Sequence, residues 1–473
     1  MEYDKDLAAR QEARSLCRGA FAAQKVLGGF SQEKLDGIVA AVAAAFGAGA
    51  QELGRMAAEE TGFGNAADKA VKNRFASETV EKTIRGMKVV GLLGEDREKK
   101  ILEIGVPVGV IAAIVPSTNP TSTICYKAMI ALKSGNAIVF SPHPKAMKCS
   151  LAAAKLVAAA AERAGAPAGC VQCLSIPAMA GCQELMGAPE VRLILATGGP
   201  AMVKAAYSSG KPAIGVGAGN GPAYIHRSAD VKAALERILR SKTFDNGTVC
   251  ASEQSIMVER DMEQTVRSTA AGMGYYFMDR AEADRLAKLL FRPNGAMNPD
   301  VVGKPAEHLA KMAGIQVPCG TKILVGQAEG VGAGYPYSCE KLCPVLGFYV
   351  LDNEDAVLET AMAVLHHEGA GHTFAIHAQD RAVVEKFALK IPVSRFLVNT
   401  PAALGGIGAT TGLFPALTLG CGAVGGSASS NNIGPMDLVN VRRVAWGLET
   451  EPKPMVEEDL VELVTRKILE RLK

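Results

Sequence analysis

The first ninety residues carry a helical rhythm. In SQEKLDGIVAAVAAAFGAGAQELGRMAAEETG apolar residues recur at i, i+3, i+4 and i+7 against an Ala-rich background, the pattern of a helix with one buried face. Ser31, followed by Glu33 and Lys34, marks a helix start without a strict capping box. The charged stretch GEDREKKILEIGVPVG predicts an exposed hairpin near 92–108. Beyond it the rhythm changes. GVIAAIVP, NAIVFSP, CVQCLSI, VRLILATG and PAYIHR are short apolar runs, partly β-branched and bounded by Gly or Pro. Helical segments such as MKCSLAAAKLVAAAAERAG and PAMAGCQELMG lie between them. Strands alternating with helices predict βαβ units and a parallel sheet covered on both faces. The expectation is an α/β, doubly wound, nucleotide-binding domain over residues 1–228.

A second α/β region is expected over 229–428. VKAALERILRSKTF reads as a helix, and QSIMVE, LGFYVL, TFAIHA and RFLVN as strands. The Gly-rich stretch from Gly405 to Gly426 lacks low-complexity character and predicts an ordered loop folded over a site. Residues 429–448, with DLVNVRRVAWG, read as an oligomerisation segment, and 449–454 as a linker. In the last segment, 455–473, Leu460, Val464 and Ile468 are spaced by four, flanked by Val461, Leu463 and Leu472. Glu457, Glu458 and Asp459 occupy its first turn, and Arg466, Lys467, Arg471 and Lys473 its end, as a helix dipole favours. The segment predicts an amphipathic helix with no core of its own to cover. It either packs on its own or a partner subunit or docks in a groove of another protein.

Composition narrows the class. The chain has 473 residues, 48% apolar and 21% charged, with a net charge of +3. That is the profile of a folded protein of two or three domains. With acids and bases mixed throughout, nothing marks a nucleic-acid footprint or a membrane-surface patch. No apolar run reaches the roughly 18 residues of a membrane span, and MEYDKDLAAR is not a signal peptide. The expectation is a cytoplasmic protein.

Eleven irregularly spaced cysteines do not make a disulfide framework. Cys170 and Cys173 form a CxxC without a second pair at zinc spacing, and Cys339 and Cys343 flank EKL; no metal is expected. Cys250 is different. It sits in FDNGTVCASEQS, after turn residues and before a polar run. A thiol near helix ends and backbone N–H groups has a lowered pKa and acts as a nucleophile.

Six segments, IVPSTNPTST, GVGAGNGP, FDNGTVCASEQS, CEKLCPV, GAGHT and TLGCG, occur in that order at wide separations. Together the chain, over about residues 10 to 450, resembles the CoA-acylating branch of the aldehyde dehydrogenase superfamily. That branch includes acetaldehyde and propionaldehyde dehydrogenases of bacterial microcompartments and the aldehyde dehydrogenase half of bifunctional alcohol–aldehyde enzymes. The resemblance implies an aldehyde dehydrogenase-like fold with a small β oligomerisation hairpin, in a homodimer or homotetramer. It implies conversion of a short aldehyde, coenzyme A and NAD to acyl-CoA and NADH, with NADP as an alternative cofactor.

The resemblance also implies residue roles. Cys250 is the nucleophile, and the oxyanion is held by its own N–H and the Asn119 amide. Glu340 holds the nicotinamide ribose. His372, in GAGHT, assists proton transfer involving the CoA thiol; His366 and His367 are weaker candidates. Thr197, Gly198 and Gly199, a strand end opening a helix, form a phosphate cradle. Ser141 and Pro144 stand where hydrolytic relatives carry a lysine and a glutamate at the adenine ribose, and Ser141 and Pro142 are the expected cofactor contacts there. Gly217 is expected to bind the cofactor, although GVGAGNG lacks the spacing of a dinucleotide fingerprint. The hydrolytic relatives' water-activating glutamate falls on Val216, which cannot act as a base, so a thiol must release the acyl group. Acylating succinate-semialdehyde or sulfoacetaldehyde dehydrogenases are the alternative, with Arg395 as the position that would read an anion. A non-catalytic scaffold is a further one. The final helix resembles encapsulation peptides, implying a shell-protein partner and a place in a microcompartment.

Overall fold

The computed structural model describes residues 4–448 and 457–472. The expected linker, 449–454, and Met455 lie outside them. Four α-helices lead in, the last two joined by a π-helical turn, Phe75–Thr79. The second, Gln32–Thr61, is capped by the Ser31 side chain, which accepts from Lys34 N, and ends on Gly62 at φ 67°. It bends by 63° at Gly49, between Ala48 and Ala50, with Gly47 two residues before. Its apolar side, Leu35, Ile38, Val42, Phe46 and Leu53, is buried in the first core, each side chain contributing about 1.5–3 kcal/mol. The third, Ala66–Arg74, departs from the pattern: its buried residues include Lys69, Lys72 and Asn73. No single described helix is long and apolar enough to cross a membrane.

Strands β1 (Gly91–Asp96) and β2 (Ile101–Pro107) pair antiparallel as the expected hairpin. Five strands then form one parallel sheet: β3 (Val110–Val115), β4 (Ala137–Pro142), β5 (Val171–Cys173), β6 (Val191–Thr197) and β7 (Ala213–Val216), in the order β5-β4-β3-β6-β7. Every residue of β3 and β4 is buried, which is why both read as continuous apolar runs. The order reverses between β3 and β6, and such a switch point leaves a crevice beyond the strands' carboxyl ends.

The second sheet is also parallel. It contains β8 (Gly221–Ile225), β9 (Glu253–Glu259), β10 (Tyr275–Phe277), β11 (Ile323–Gln327), β12 (Val345–Leu351), β13 (Gly371–His377) and β14 (Val393–Val398), in the order β10-β11-β12-β9-β8-β13-β14. Finally β15 (Val439–Ala445) returns to pair with β2.

Two expectations need correction. PAYIHR does not belong to the first sheet: β8 pairs with β9 and β13, so the chain changes sheets within residues 217–220 and not near 228. Strands β7, β10 and β11 were not expected. β7 and β10 are four and three residues long, too short for a periodic signal, and β11 ends in Val-Gly-Gln. The CxxC lies in and beside β5, where burial pushes both thiols up to about 12. The final helix, Glu457–Arg471, leaves Leu460, Val461, Val464, Ile468 and Leu469 exposed.

Candidate active site

The crevice at the switch point opens into a cavity of about 270 Å³. The turn after β3 supplies Pro116, Ser117, Thr118 and Asn119, and the end of β6 supplies Thr197, Gly198 and Gly199. Cys250, Val216, Gly217 and Glu340 face the same space, and Val249, Leu342, Ile407, Leu417 and Leu419 make its apolar wall. The last three come from the stretch expected to fold over a site. A second cavity of about 270 Å³ adjoins it, lined by Ser141 and Pro142 and sharing Pro116, His143 and Thr197–Gly199.

Cys250 arrives on an unusual turn. The helix Val231–Thr243 ends, and Asp245, Asn246 and Gly247 follow at φ 48°, 52° and 75°. Three successive left-handed residues are accessible to Asp, Asn and Gly and costly for most others. The turn lifts Cys250, half-buried, into the cavity. The expectation of a lowered pKa is corrected: burial, then Glu340 and Cys421, push the thiol up to about 12, while Arg395 and the residue's own backbone N–H pull the other way.

Asn119 precedes the helix Pro120–Lys133 but makes no side-chain cap. Its Oδ1 accepts from Lys72 Nζ and its Nδ2 donates to Thr118 Oγ1 at 3.1 Å. Glu340 Oε1 accepts from Gly219 N at 2.8 Å, and the Glu340 N–H donates to Glu368 Oε2 at 2.7 Å. Burial and Glu368 raise the Glu340 carboxyl to about 8. Thr197 Oγ1 is buried without a hydrogen-bond partner among the described residues, and the helix Pro200–Tyr207 begins just beyond it.

The structure brings nine of the ten expected site residues to these two cavities. His372 is the correction. It is wholly buried at the start of β13, with Nδ1 2.8 Å from Thr373 Oγ1, and does not line either cavity. Burial and Arg395 lower its pKa to about 3, so it is neutral and enclosed. Arg395 is also buried. Its guanidinium donates to the carbonyls of Gly420 at 2.8 Å and Gly371 at 3.3 Å and does not line the Cys250 cavity. His366 and His367 close the helix Glu354–His367, outside the cavity.

Sequence reasoning missed Lys72 and His143, both wall residues. Lys72 lies in DKAVKN, where two lysines three apart look like a solvated helix face. His143 follows Ser141 and Pro142 directly, and its proximity was the available signal.

Known proteins resemble this chain over most of its length. The model of the aldehyde dehydrogenase family matches residues 4–337. The bifunctional aldehyde-alcohol dehydrogenase AdhE of Escherichia coli K12 is 44% identical over 440 residues, covering 92% of this chain and 49% of that protein. The chain thus spans about half the length of that curated relative. A solved structure of a probable aldehyde dehydrogenase from Listeria monocytogenes EGD-e is 54% identical with a TM-score of 0.94, covering 95% of this chain and 99% of that one. An acetylating aldehyde dehydrogenase from Geobacillus thermoglucosidasius is 47% identical with a TM-score of 0.93, covering 96% and 100%. A cysteine raised on a left-handed turn at the switch point of a parallel sheet, an amide beside it, and a match over most of its length together mean that this chain belongs to the aldehyde dehydrogenase family.

Proposed function

We propose that this protein is a CoA-acylating aldehyde dehydrogenase, converting a short uncharged aldehyde, coenzyme A and NAD to acyl-CoA and NADH. One observation carries the reading: Cys250 and Asn119 share a cavity in which the wall at the expected base position is Val216. The Cys250 thiol gives up its proton to solvent, favoured by Arg395 and its own N–H against the burial that holds it, and its sulfur adds to the aldehyde carbon. The Cys250 N–H and Asn119 Nδ2 face the oxygen as negative charge develops, and one such donor is worth about 2.7–4 kcal/mol. Nicotinamide, when bound, accepts the hydride. Val216 activates no water, and Ile407, Leu417 and Leu419 close the cavity with apolar surface. The acyl-cysteine therefore persists until the CoA thiol attacks it.

The residues fit a dinucleotide. Thr197 Oγ1, without a partner among the described residues at the start of the helix Pro200–Tyr207, suits a phosphate oxygen. Gly198 and Gly199 leave room for close approach, Ser141 and Pro142 line the adjoining cavity for adenosine, and Gly217 and Glu340 bound the nicotinamide end. The apolar wall favours acetaldehyde or propionaldehyde. Arg395 does not reach the cavity and Lys72 is held by Asp245, so neither is free to read a carboxylate or sulfonate.

The test is NADH formation from acetaldehyde and propionaldehyde with and without CoA. Acyl-CoA formed only with CoA supports the reading; free carboxylate at full rate without it overturns the role given to Val216.

Two assembly features belong to the same reading. In the three-stranded sheet β1-β2-β15, Leu92, Val444 and neighbouring Trp446 expose apolar surface, which suits a homodimer or homotetramer. The final helix docks on a shell protein of a microcompartment in the cytoplasm; its exposed apolar stripe supports this.

A further inference from the structure

Lys69 and Lys72 stand one turn apart on the helix Ala66–Arg74, each 2% exposed, and both point at Asp245, which is 0% exposed. Lys69 Nζ lies 2.9 Å from Asp245 Oδ2 and donates to the Thr118 carbonyl at 2.9 Å. Lys72 Nζ donates to Asp245 Oδ2 and to Asn119 Oδ1. Thr248 Oγ1 donates to the same carboxylate at 2.7 Å. Asp245 Oδ1 accepts from Asn65 N at 2.8 Å, and the Asp245 N–H donates to Asp68 Oδ2 at 2.8 Å. One carboxylate thus joins three segments far apart in the chain: the lysine helix, the Thr118–Asn119 turn and the turn that carries Cys250.

A carboxamide has two ends that differ only in which atom accepts. With its oxygen held by an ammonium, Asn119 can offer only its NH2 to the cavity. One N–H bonds Thr118 Oγ1, leaving the other for a reacting oxygen. A cation on the amide oxygen also draws electron density from the nitrogen and strengthens that donor, as hydrogen bonds in a chain polarise one another. We propose that Lys72 is a positioning residue of the acyl-transfer reaction: it orients and polarises the Asn119 amide, and through Asp245 it fixes that amide relative to Cys250. The inference rests on the CoA-acylating reading above and adds to it a residue that acts only through Asn119. Burial lowers Lys72 to about 8, opposed by Asp245 and Asp68 and reinforced by Lys69, so it is cationic at neutral pH.

The test is a double-mutant cycle on the full chain between Lys72→Met and Asn119→Ala, read as kcat for acyl-CoA formation. Lys69 remains to balance Asp245 in Lys72→Met. If that variant does not fold by circular dichroism, Lys72→Gln takes its place in the cycle. Asn119→Ala is expected to lower kcat about 10²- to 10³-fold, and Lys72→Met by about 10- to 10²-fold. The double variant should match Asn119→Ala within about twofold, since Lys72 has nothing left to orient. KM for NAD and for CoA and the iodoacetamide alkylation rate of Cys250 should stay at wild-type values in Lys72→Met, which a collapsed site would not allow. Losses that multiply in the double variant, altered KM or alkylation, or a Lys72 variant with wild-type kcat, overturn the positioning role while leaving the enzyme assignment standing. A wild-type protein that forms no acyl-CoA overturns both.

Discussion

Gly219 lies directly against Cys250: a Cβ on Gly219 would sit 1.9 Å from the Cys250 carbonyl oxygen. The link from β7 to β8 passes this close to the nucleophile only because residue 219 has no side chain. The same residue's N–H holds Glu340 Oε1. Gly219→Ala therefore has to move either the Cys250 turn or the Glu340 carboxyl. It should cost about 1–3 kcal/mol of stability, as overpacking does, with a larger proportional loss in kcat. Thermal unfolding together with kcat checks this, and wild-type values in both would refute the contact.

Cys250→Ser should abolish acyl-CoA formation, by at least about 10³-fold, because a serine hydroxyl is a weaker acid than even this raised thiol and would leave an oxygen ester, not a thioester, for CoA to attack. Dinucleotide binding should survive, since Thr197, Gly198 and Gly199 come from the end of β6 and not from the turn that carries Cys250. Near-normal turnover would reassign the nucleophile. Fluorescence titration with NADH separates lost chemistry from lost binding.

Val216→Glu places a carboxylate where the cavity now has an alkyl wall. Some acyl-enzyme should then be lost to water, giving free carboxylate at a fraction of the CoA-dependent rate. Product analysis without CoA reads it. A variant that is folded, active with CoA and yields no carboxylate would show that water exclusion, and not the missing base, protects the thioester.

Glu340 sets a pH dependence. Its carboxyl is raised to about 8, so at neutral pH it is mostly protonated, and it ionises as pH rises through that value. Only the carboxylate accepts hydrogen bonds from both hydroxyls of a ribose. KM for NAD should therefore fall as pH rises from 7 to 9. Glu340→Gln should flatten that profile, and Glu368→Gln should move it to lower pH by removing the repelling charge. A flat wild-type profile would sink the ribose role. Folding linkage has the opposite sign: the folded state favours the protonated carboxyl, so stability declines as pH rises from the ordinary 4.5 through about 8.

The tail should be separable from catalysis. Deleting 457–473 should leave kcat within about twofold, because Cys250, Asn119 and Glu340 lie on the body, and should raise solubility by removing an exposed apolar stripe. Val464→Glu with Ile468→Glu should reproduce both effects, and each should lose co-purification with shell proteins. A collapse of activity or melting temperature would make the helix part of the folded body or its subunit interface.

What the sequence determined by itself is local or modular. The capped helix at Ser31, the hairpin, the buried runs of β3 and β4 and the Asp245-Asn246-Gly247 turn all follow from propensities within a few residues. The spaced motifs did the rest, bringing Cys250, Asn119, Val216 and Glu340 into one reading. Tertiary structure decided what depends on partners far along the chain. Strand β8 has the same apolar look as β6, and only its pairing with β9 and β13 puts it in the second sheet. His372 and Arg395 carry the chemistry of a site, yet burial and two backbone carbonyls remove them from it. Lys72 is the converse case. Its spacing suits a solvated helix face, and it becomes part of the site because Asp245, 173 positions away, supplies the charge that lets an ammonium stay buried. Helical and strand periodicity report burial on average. Where a charged side chain goes is settled by its counter-charge, which nothing in its own neighbourhood encodes.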